Sequence, residues 1–302
     1  MKNRNASLMN STACYPARGL LAALALSIAV SGNAQAAQAP KPAPAPVPAQ
    51  ANLPTGLTVS KTGAPVMIEF TNAAGAVVPE ADATTEVVTN NATKIAFVTW
   101  ANLDVANNYT FVINGKVINR TNGPVDIAGG VDINGNDSIM AEGNFTLAPT
   151  AKIEGSGSLT LVTPLANTIT NAGTIGTGNI GFLTGRIINT GTIGGSNEVR
   201  LIATGTIDSS GLISAGSQLI MDGKAIDLSG SVSSGGKVTL TADDNKGTIY
   251  LGAIPNGIKN KGLVINGMNQ EILDTKGLVY NGKITEASDM LIVGDKIYLN
   301  SL

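Results

Sequence analysis

The sequence predicts an all-β fold: a right-handed parallel β-helix with coils of about 15–20 residues and an amino-terminal β cap. Three observations carry this. A short turn pattern (Asn or Ser, a small residue, Gly, any residue, then Ile or Val) recurs along the chain. Between recurrences, apolar and polar residues alternate as in strands. The composition is rich in small and β-branched residues and poor in charge, with 36 glycines, 43% hydrophobic and 13% charged residues among 302.

The turns set the period. Asn171-Ala172-Gly173-Thr174-Ile175, Asn189-Thr190-Gly191-Thr192-Ile193, Ser209-Ser210-Gly211-Leu212-Ile213 and the looser Leu228-Ser229-Gly230-Ser231-Val232 place Gly173, Gly191, Gly211 and Gly230 at steps of 18, 20 and 19 residues. Asn245-Lys246-Gly247, Asn260-Lys261-Gly262 and Thr275-Lys276-Gly277 continue the pattern at steps of 17, 15 and 15. Asn171, Gly173, Asn189, Gly191, Gly211 and Gly230 are therefore expected at equivalent corners of coils stacked about 4.8 Å apart. An Asn there is expected to tolerate left-handed backbone and to hydrogen-bond its equivalent one coil away. A Gly is expected to take a positive φ without strain. Stacked like charges would repel, and Gly155 to Asn197 holds one charged side chain, Arg186. An antiparallel sandwich with Gly-rich turns is the alternative, and the regular spacing favours the β-helix.

The strand windows lie between these corners: 199–207, 218–232, 237–242 and the closing 290–300. They alternate with period two and are bounded by Gly, Asn and Ser. No helical window of useful length follows the first forty residues.

Those forty residues are read apart from the fold. Lys2, Arg4 and Arg18 precede the apolar run Gly19–Val30, and Ala34-Gln35-Ala36 supplies small residues for a peptidase. This is the layout of a secretory signal peptide cut between Ala36 and Ala37. Cleavage would leave 266 residues without cysteine and shift the formal net charge from −2 to −5. The expected organisation is a signal peptide (1–36), a Pro/Ala-rich linker (37–54), an amino-terminal cap with the first coils (55–150), and further coils with terminal strands (151–302). No later run of about 20 apolar residues is present to span a bilayer as a helix.

Composition also bounds the chemistry. There is no histidine, and the one cysteine, Cys14, departs with the signal peptide. Triads that need imidazole and His-ligated zinc are excluded, and so are disulfides in the mature chain. Sparse charge with an acidic balance argues against nucleic acid as a partner. Carboxylates that could serve a β-helix carbohydrate-active enzyme are Asp132/Asp137, Asp208, Asp222/Asp227 and Asp243/Asp244. Turn roles account for them more simply, so no catalytic residue, cofactor or metal is assigned. The stretch 132–137 has its glycine too early for a helix-flanked calcium loop. Sequons include Asn91, Asn108, Asn119, Asn136 and Asn144, and in a chain rich in Asn and Thr chance supplies most of them.

From Leu53 to about Asp244 an ordered set of motifs is present. Leu53-Pro54-Thr55-Gly56 is followed by Thr99-Trp100-Ala101-Asn102-Leu103-Asp104-Val105, then Tyr109-Thr110-Phe111-Val112, then Asn119-Arg120-Thr121-Asn122-Gly123. In this order they resemble the amino-terminal secretion domain of two-partner-secretion exoproteins, the filamentous-haemagglutinin family. One departure is that 133–145 lacks the proline of that family's Asn-Pro-Asn-Gly motif. Ile254-Pro255-Asn256-Gly257-Ile258, far downstream, reads as a turn. The resemblance implies export through an outer-membrane barrel transporter of a Gram-negative bacterium and a non-catalytic place at the cell surface or outside the cell. It also implies adhesion to a host or bacterial glycan or protein receptor. Trp100, Asn102, Asp104, Asn119, Arg120 and Gly123 are the residues it singles out for export or folding. At 302 residues the chain reads as little more than such a domain, and a purely structural surface protein is a further alternative.

Overall fold

The computed structural model describes residues 53–242 and, beyond them, the strands Thr248–Leu251, Ile258–Asn260, Gly262–Asn266, Leu278–Tyr280, Ile284–Glu286, Met290–Val293 and Ile297–Leu299. The signal peptide, Ala36, Ala37, the Pro-Ala tract, Asp243, Asp244, Gly247, Gly277 and residues 254–257 lie outside the described residues.

Strands form where apolar residues alternate with Thr, Ser, Gly or Asn, and from Thr110 onward each coil contributes one strand to each of three parallel sheets. The three sheets contain 11, 9 and 11 strands. The first includes Val117–Thr121, Asn136–Ala141, Ser158–Val162, Asn179–Thr184, Glu198–Ala203, Gln218–Gly223 and Lys237–Ala242. The second includes Val125–Ile127, Phe145–Leu147, Thr168–Asn171, Arg186–Asn189, Thr206–Ser209 and Ala225–Leu228. The third includes Thr110–Asn114, Gly130–Ile133, Lys152–Glu154, Thr174–Thr177, Thr192–Gly195, Leu212–Ala215 and Ser231–Ser234. The chain is thus a parallel β-solenoid, and the described residues contain no α-helix, only a 3-10 turn at Glu80–Asp82. At the amino-terminal edge, Thr58–Val59 pairs antiparallel with Ala96–Trp100, and Met67–Thr71 pairs antiparallel with Thr85–Thr89.

Stacking in register lines the interior with columns of like side chains. Phe111, Val131, Ile153, Ile175, Ile193, Ile213 and Val232 form one column of the third sheet, so the Ile/Val of the turn pattern is its interior position. Ile139, Leu161, Phe182, Leu201, Met221 and Leu240 form another on the first sheet. All are buried. Each such side chain contributes roughly 1.5–3 kcal/mol by leaving water. This apolar filling substitutes for the disulfides that the chain lacks.

At the corner between the second and third sheets, Asn171 Nδ2 donates to Asn189 Oδ1 (2.8 Å), and Asn189 Nδ2 donates to Ser209 Oγ (3.0 Å). The same amides also reach the carbonyls of Thr192 (3.0 Å) and Leu212 (3.3 Å). The hydrogen-bonded ladder is as the spacing suggests, but the backbone reason is different. Asn108 is the one non-glycine with positive φ among the described residues, and the corner glycines do not have one either. What they require is proximity. A Cβ on Gly191, Gly211 or Gly230 would lie 2.1, 2.0 or 1.9 Å from the carbonyl oxygen of the corner glycine one coil earlier.

The coil length also needs correcting. Paired residues are 22 apart at Lys152 and Thr174, 18 at Thr174 and Thr192, and 20 at Thr192 and Leu212. Beyond Ala242 the steps lengthen, to 25 between Lys237 and Gly262 and 29 between Ile249 and Leu278. The 15-residue steps among the late glycines are therefore not coil steps. Gly262 opens a first-sheet strand, and Leu278 opens a second-sheet strand. The turn pattern marks any corner that launches a strand, and a coil has several.

Gly191→Ala is expected to lower stability by about 1–3 kcal/mol, because backbone must move to admit the methyl group. Gly176 lies on the open face of the third sheet, where an added Cβ would meet nothing within 4 Å beyond its chain neighbours. Gly176→Ala should shift stability by no more than about 0.5 kcal/mol. Thermal melting of the two variants side by side checks both.

Candidate functional site

The residues singled out by the ordered motifs meet at the amino-terminal end of the stack. Leu53 is buried, and Thr55 pairs with Asn102: Thr55 N donates to Asn102 O (2.9 Å), and Asn102 N donates to Thr55 O (3.2 Å). Gly56 (φ +68°) passes so near Ala101 that a Cβ would sit 2.5 Å from that residue's own Cβ. Here the positive φ and the close approach both demand glycine.

Trp100 ends its strand pointing inward, fully buried, with its ring edge-on to Phe111 at 5.5 Å and 87°. Its Nε1 donates to Asn119 Oδ1 at 3.0 Å on the neighbouring strand. An indole N–H shut away from water needs such an acceptor. Asn102 Oδ1 accepts the Asp104 N–H (2.8 Å), folding the turn that lets Leu103 and Val105 enter the core. Asp104 Oδ1 accepts the Asp126 N–H (2.8 Å), tying this turn to the next coil. Partial burial raises the Asp104 pKa above the ordinary carboxylate value, a rise the Asp126 hydrogen bond offsets in part. Arg120 points outward to an ion pair with Glu142 one coil on, both half-exposed. The Gly123 carbonyl accepts the Gly143 N–H at 3.0 Å. Gly123 itself has open space around its Cα, so no glycine-specific demand acts there.

The candidate carboxylates do not pair as the sequence groups them. Asp132 lies exposed on the third sheet while Asp137 is buried within the first. Asp222 lies on the first sheet and Asp227 on the second. Registration instead stacks Asp227 on Asp208. Asp208 is held by Arg186 Nε at 3.0 Å, and the Asp227 pKa is raised by burial and then by Asp208. The Asp132 pKa is raised by partial desolvation and then by its stacked neighbour Glu154. Among the described residues, no group of three or more His, Cys, Asp or Glu is placed to hold a metal ion. Of the sequons, Asn119 is wholly buried, whereas Asn91, Asn108, Asn136 and Asn144 are not.

Two features were not legible beforehand. Asp137 and Glu86 are carboxyls inside the solenoid, each with one oxygen that has no hydrogen-bond partner. Desolvation pushes Asp137 up to about 7 against the stabilising N–H groups of Val117 and Gly135, and it pushes Glu86, next to Glu80, up to about 8. The second feature is a basic corner. Lys94, Lys116, Ile95 and Phe97 line a single open cavity, although Lys94 and Lys116 are 22 residues apart in sequence. The one available signal was that this separation approximates a coil.

No family model matches the chain, and no curated protein matches it. Among solved structures it is similar to the HMW1 secretion domain from Haemophilus influenzae. The identity is 14% and the TM-score 0.30, with 80% of this chain and 100% of that chain covered.

The buried carboxyls imply a pH dependence with a definite sign. Asp137 binds its proton more tightly folded than unfolded, so its neutral form is compatible with the core. The contribution of this group to stability is fully present below the ordinary value of 3.8 and is lost as pH rises towards about 7, where the folded-state group ionises. Asp137→Asn should flatten this part of the profile, leaving stability near pH 4 little changed and raising it at pH 8. Melting temperatures of parent and variant across pH 4–9 check the sign, and a variant less stable at pH 8 would contradict it.

Proposed function

We propose that the chain is a secreted, non-catalytic exoprotein of the filamentous-haemagglutinin type, sent to the cell surface of a Gram-negative bacterium through an outer-membrane barrel partner and active there in adhesion. The observation that carries this reading is the connectedness of the motif residues. Thr55 to Asn102, Trp100 to Asn119 and Asp104 to Asp126 are direct hydrogen bonds between segments that the ordered motifs single out or adjoin. They join the antiparallel edge to the first parallel coils, which is where a solenoid must nucleate if it is to stack coil upon coil.

Export in an unfolded state suits the composition. A chain with no cysteine after Cys14 forms no disulfide in an oxidising compartment that would block threading. Once outside, its free energy of folding comes from apolar columns and ladders that need no oxidant, metal or cofactor. The non-catalytic part of the reading is supported by the candidate aspartates among the described residues, which are divided among three sheets and between the inside and outside of the solenoid. Flat sheet faces with little charge suit repeated weak contacts with a glycan or protein surface better than they suit a reaction cleft.

Arg120 offers a clean test. Its ion pair with Glu142 is half-exposed, and such pairs contribute about 0–1 kcal/mol to folding. Arg120→Ala should therefore leave the melting temperature nearly intact while reducing the amount exported at least about fivefold. The readout is an immunoblot of medium and periplasm from cells carrying the chain and the barrel protein encoded beside it. Undiminished export of both Arg120→Ala and Asn119→Ala would sink the transporter claim, as would the lack of a neighbouring gene for a barrel with periplasmic polypeptide-binding domains.

A further inference from the structure

The open cavity at the amino-terminal corner between the third and first sheets is built by the backbone of three successive coils. Asn90, buried, donates its Nδ2 to the carbonyls of both Lys94 (2.9 Å) and Lys116 (2.7 Å), and its Oδ1 accepts the Ala92 N–H (2.9 Å). One side chain thereby fixes two lysines of neighbouring coils side by side. Gly115 (φ +95°) lies under Asn90, where a Cβ would be 2.1 Å from its carbonyl oxygen. The Asn136 N–H donates to the Gly115 carbonyl (2.9 Å) and brings the third coil into the same corner.

The cavity has a volume of about 590 Å³, within the range of small-ligand sites. Lys94, Lys116, Ile95, Phe97, Thr93 and Asn136 line it, with no acidic side chain among its walls. Neither lysine has an ion-pair partner among the described residues, although charge is scarce and the chain as a whole is acidic. Phe97 and Ile95 are 42% and 43% exposed beside them, held out on the face opposite the core. Phe97 rests against Gly63, where a Cβ would come within 3.1 Å of its ring. Two uncompensated ammonium groups, an accessible aromatic face, and a hydroxyl and an amide at the rim form a combination that core packing does not need.

We propose that this corner binds an acidic sugar residue of the hexuronate class, deepening the adhesive reading, on which its biological role rests. The carboxylate lies between Lys94 and Lys116. The apolar C–H face of the pyranose covers Phe97, and the ring hydroxyls bond to Asn136 and Thr93. Neutral sugars fail because they leave both ammonium groups unpaired. Simple anions fail because they leave Phe97 in water.

The test is calorimetric titration of the full chain with a hexamer of galacturonic acid and with its methyl ester at matched ionic strength. The acidic hexamer should bind and the ester should not. Binding should weaken at least about tenfold in Lys94→Gln/Lys116→Gln and in Phe97→Ala, and stay unchanged in Lys152→Gln on the distant third-sheet face. Melting curves verify that each variant is folded. Equal binding of acid and ester, undiminished binding by the double lysine variant, or displacement of the hexamer by an equal concentration of inorganic phosphate would each overturn the proposal. If the hexamer binds as described but the chain does not hold cells to surfaces, the adhesive reading falls and the site stands. If adherence occurs without hexamer binding, the site falls and adhesion stands.

Discussion

The controlling constraint is the distance between coils. Parallel strands hydrogen-bond about 4.8 Å apart, and a corner must turn within that spacing without pushing its neighbours away. At the corner between the second and third sheets, the Cα of Gly191 faces the Gly173 carbonyl, Gly211 faces Gly191, and Gly230 faces Gly211, with no room for a methyl group. The glycines are thus imposed by the backbone one coil away rather than by local torsion. Every residue must likewise fit its equivalents before and after, so that amides suit amides and isoleucine suits isoleucine. The Asn171–Asn189–Ser209 ladder is a polar answer to this condition inside the solenoid. Ser158–Asn179–Asn197–Ser217 is another, at an outer corner, with contacts of 2.9, 2.7 and 2.6 Å.

That constraint explains where the sequence was readable. The period was legible from Gly173 to Gly230 because the same corner demands the same residues in each coil, and the alternation was legible because each strand has one face in the core. Legibility ended where residues escape the column rule. The late glycines looked periodic, yet they launch strands of different sheets. A five-residue pattern records a corner but not which corner. The positive-φ explanation failed for a related reason, since one residue type answers two different physical demands. Gly56 and Gly115 meet both, and Gly191 meets the steric one alone.

The candidate site was only partly legible. Trp100, Asn119 and Asp104 stand out for their order along the chain, and the structure supplies the bonds that join them, which spacing alone does not contain. Asp137 stands out in sequence only as an acidic residue near a turn. Its character comes from its column, where registration puts it beside Leu159 and in line with Ile180, Val199 and Leu219. Lys94 and Lys116 are ordinary in sequence, and they become a pair because Asn90 holds two carbonyls from different coils. Such long-range pairings depend on insertions in each coil, and here residues paired in parallel are separated by as few as 18 and as many as 29 positions.

The unusual side chains collect at one end. Glu86, Asn119, Thr121 and Asp137, all buried, belong to the early coils, and so do the exposed Phe97 and the two unpaired lysines. Deeper in the stack a charged or oversized residue disturbs a column on both sides, whereas near the antiparallel edge the repeat is still being established and fewer equivalents object. Strands there differ in direction and coils differ in length: 25 residues separate Thr85 from its partner Thr110, against 18 for Thr174 and Thr192. The middle of the solenoid is therefore specialised for propagation and stability. The amino-terminal coils, released from strict repetition, are where recognition chemistry costs the fold least.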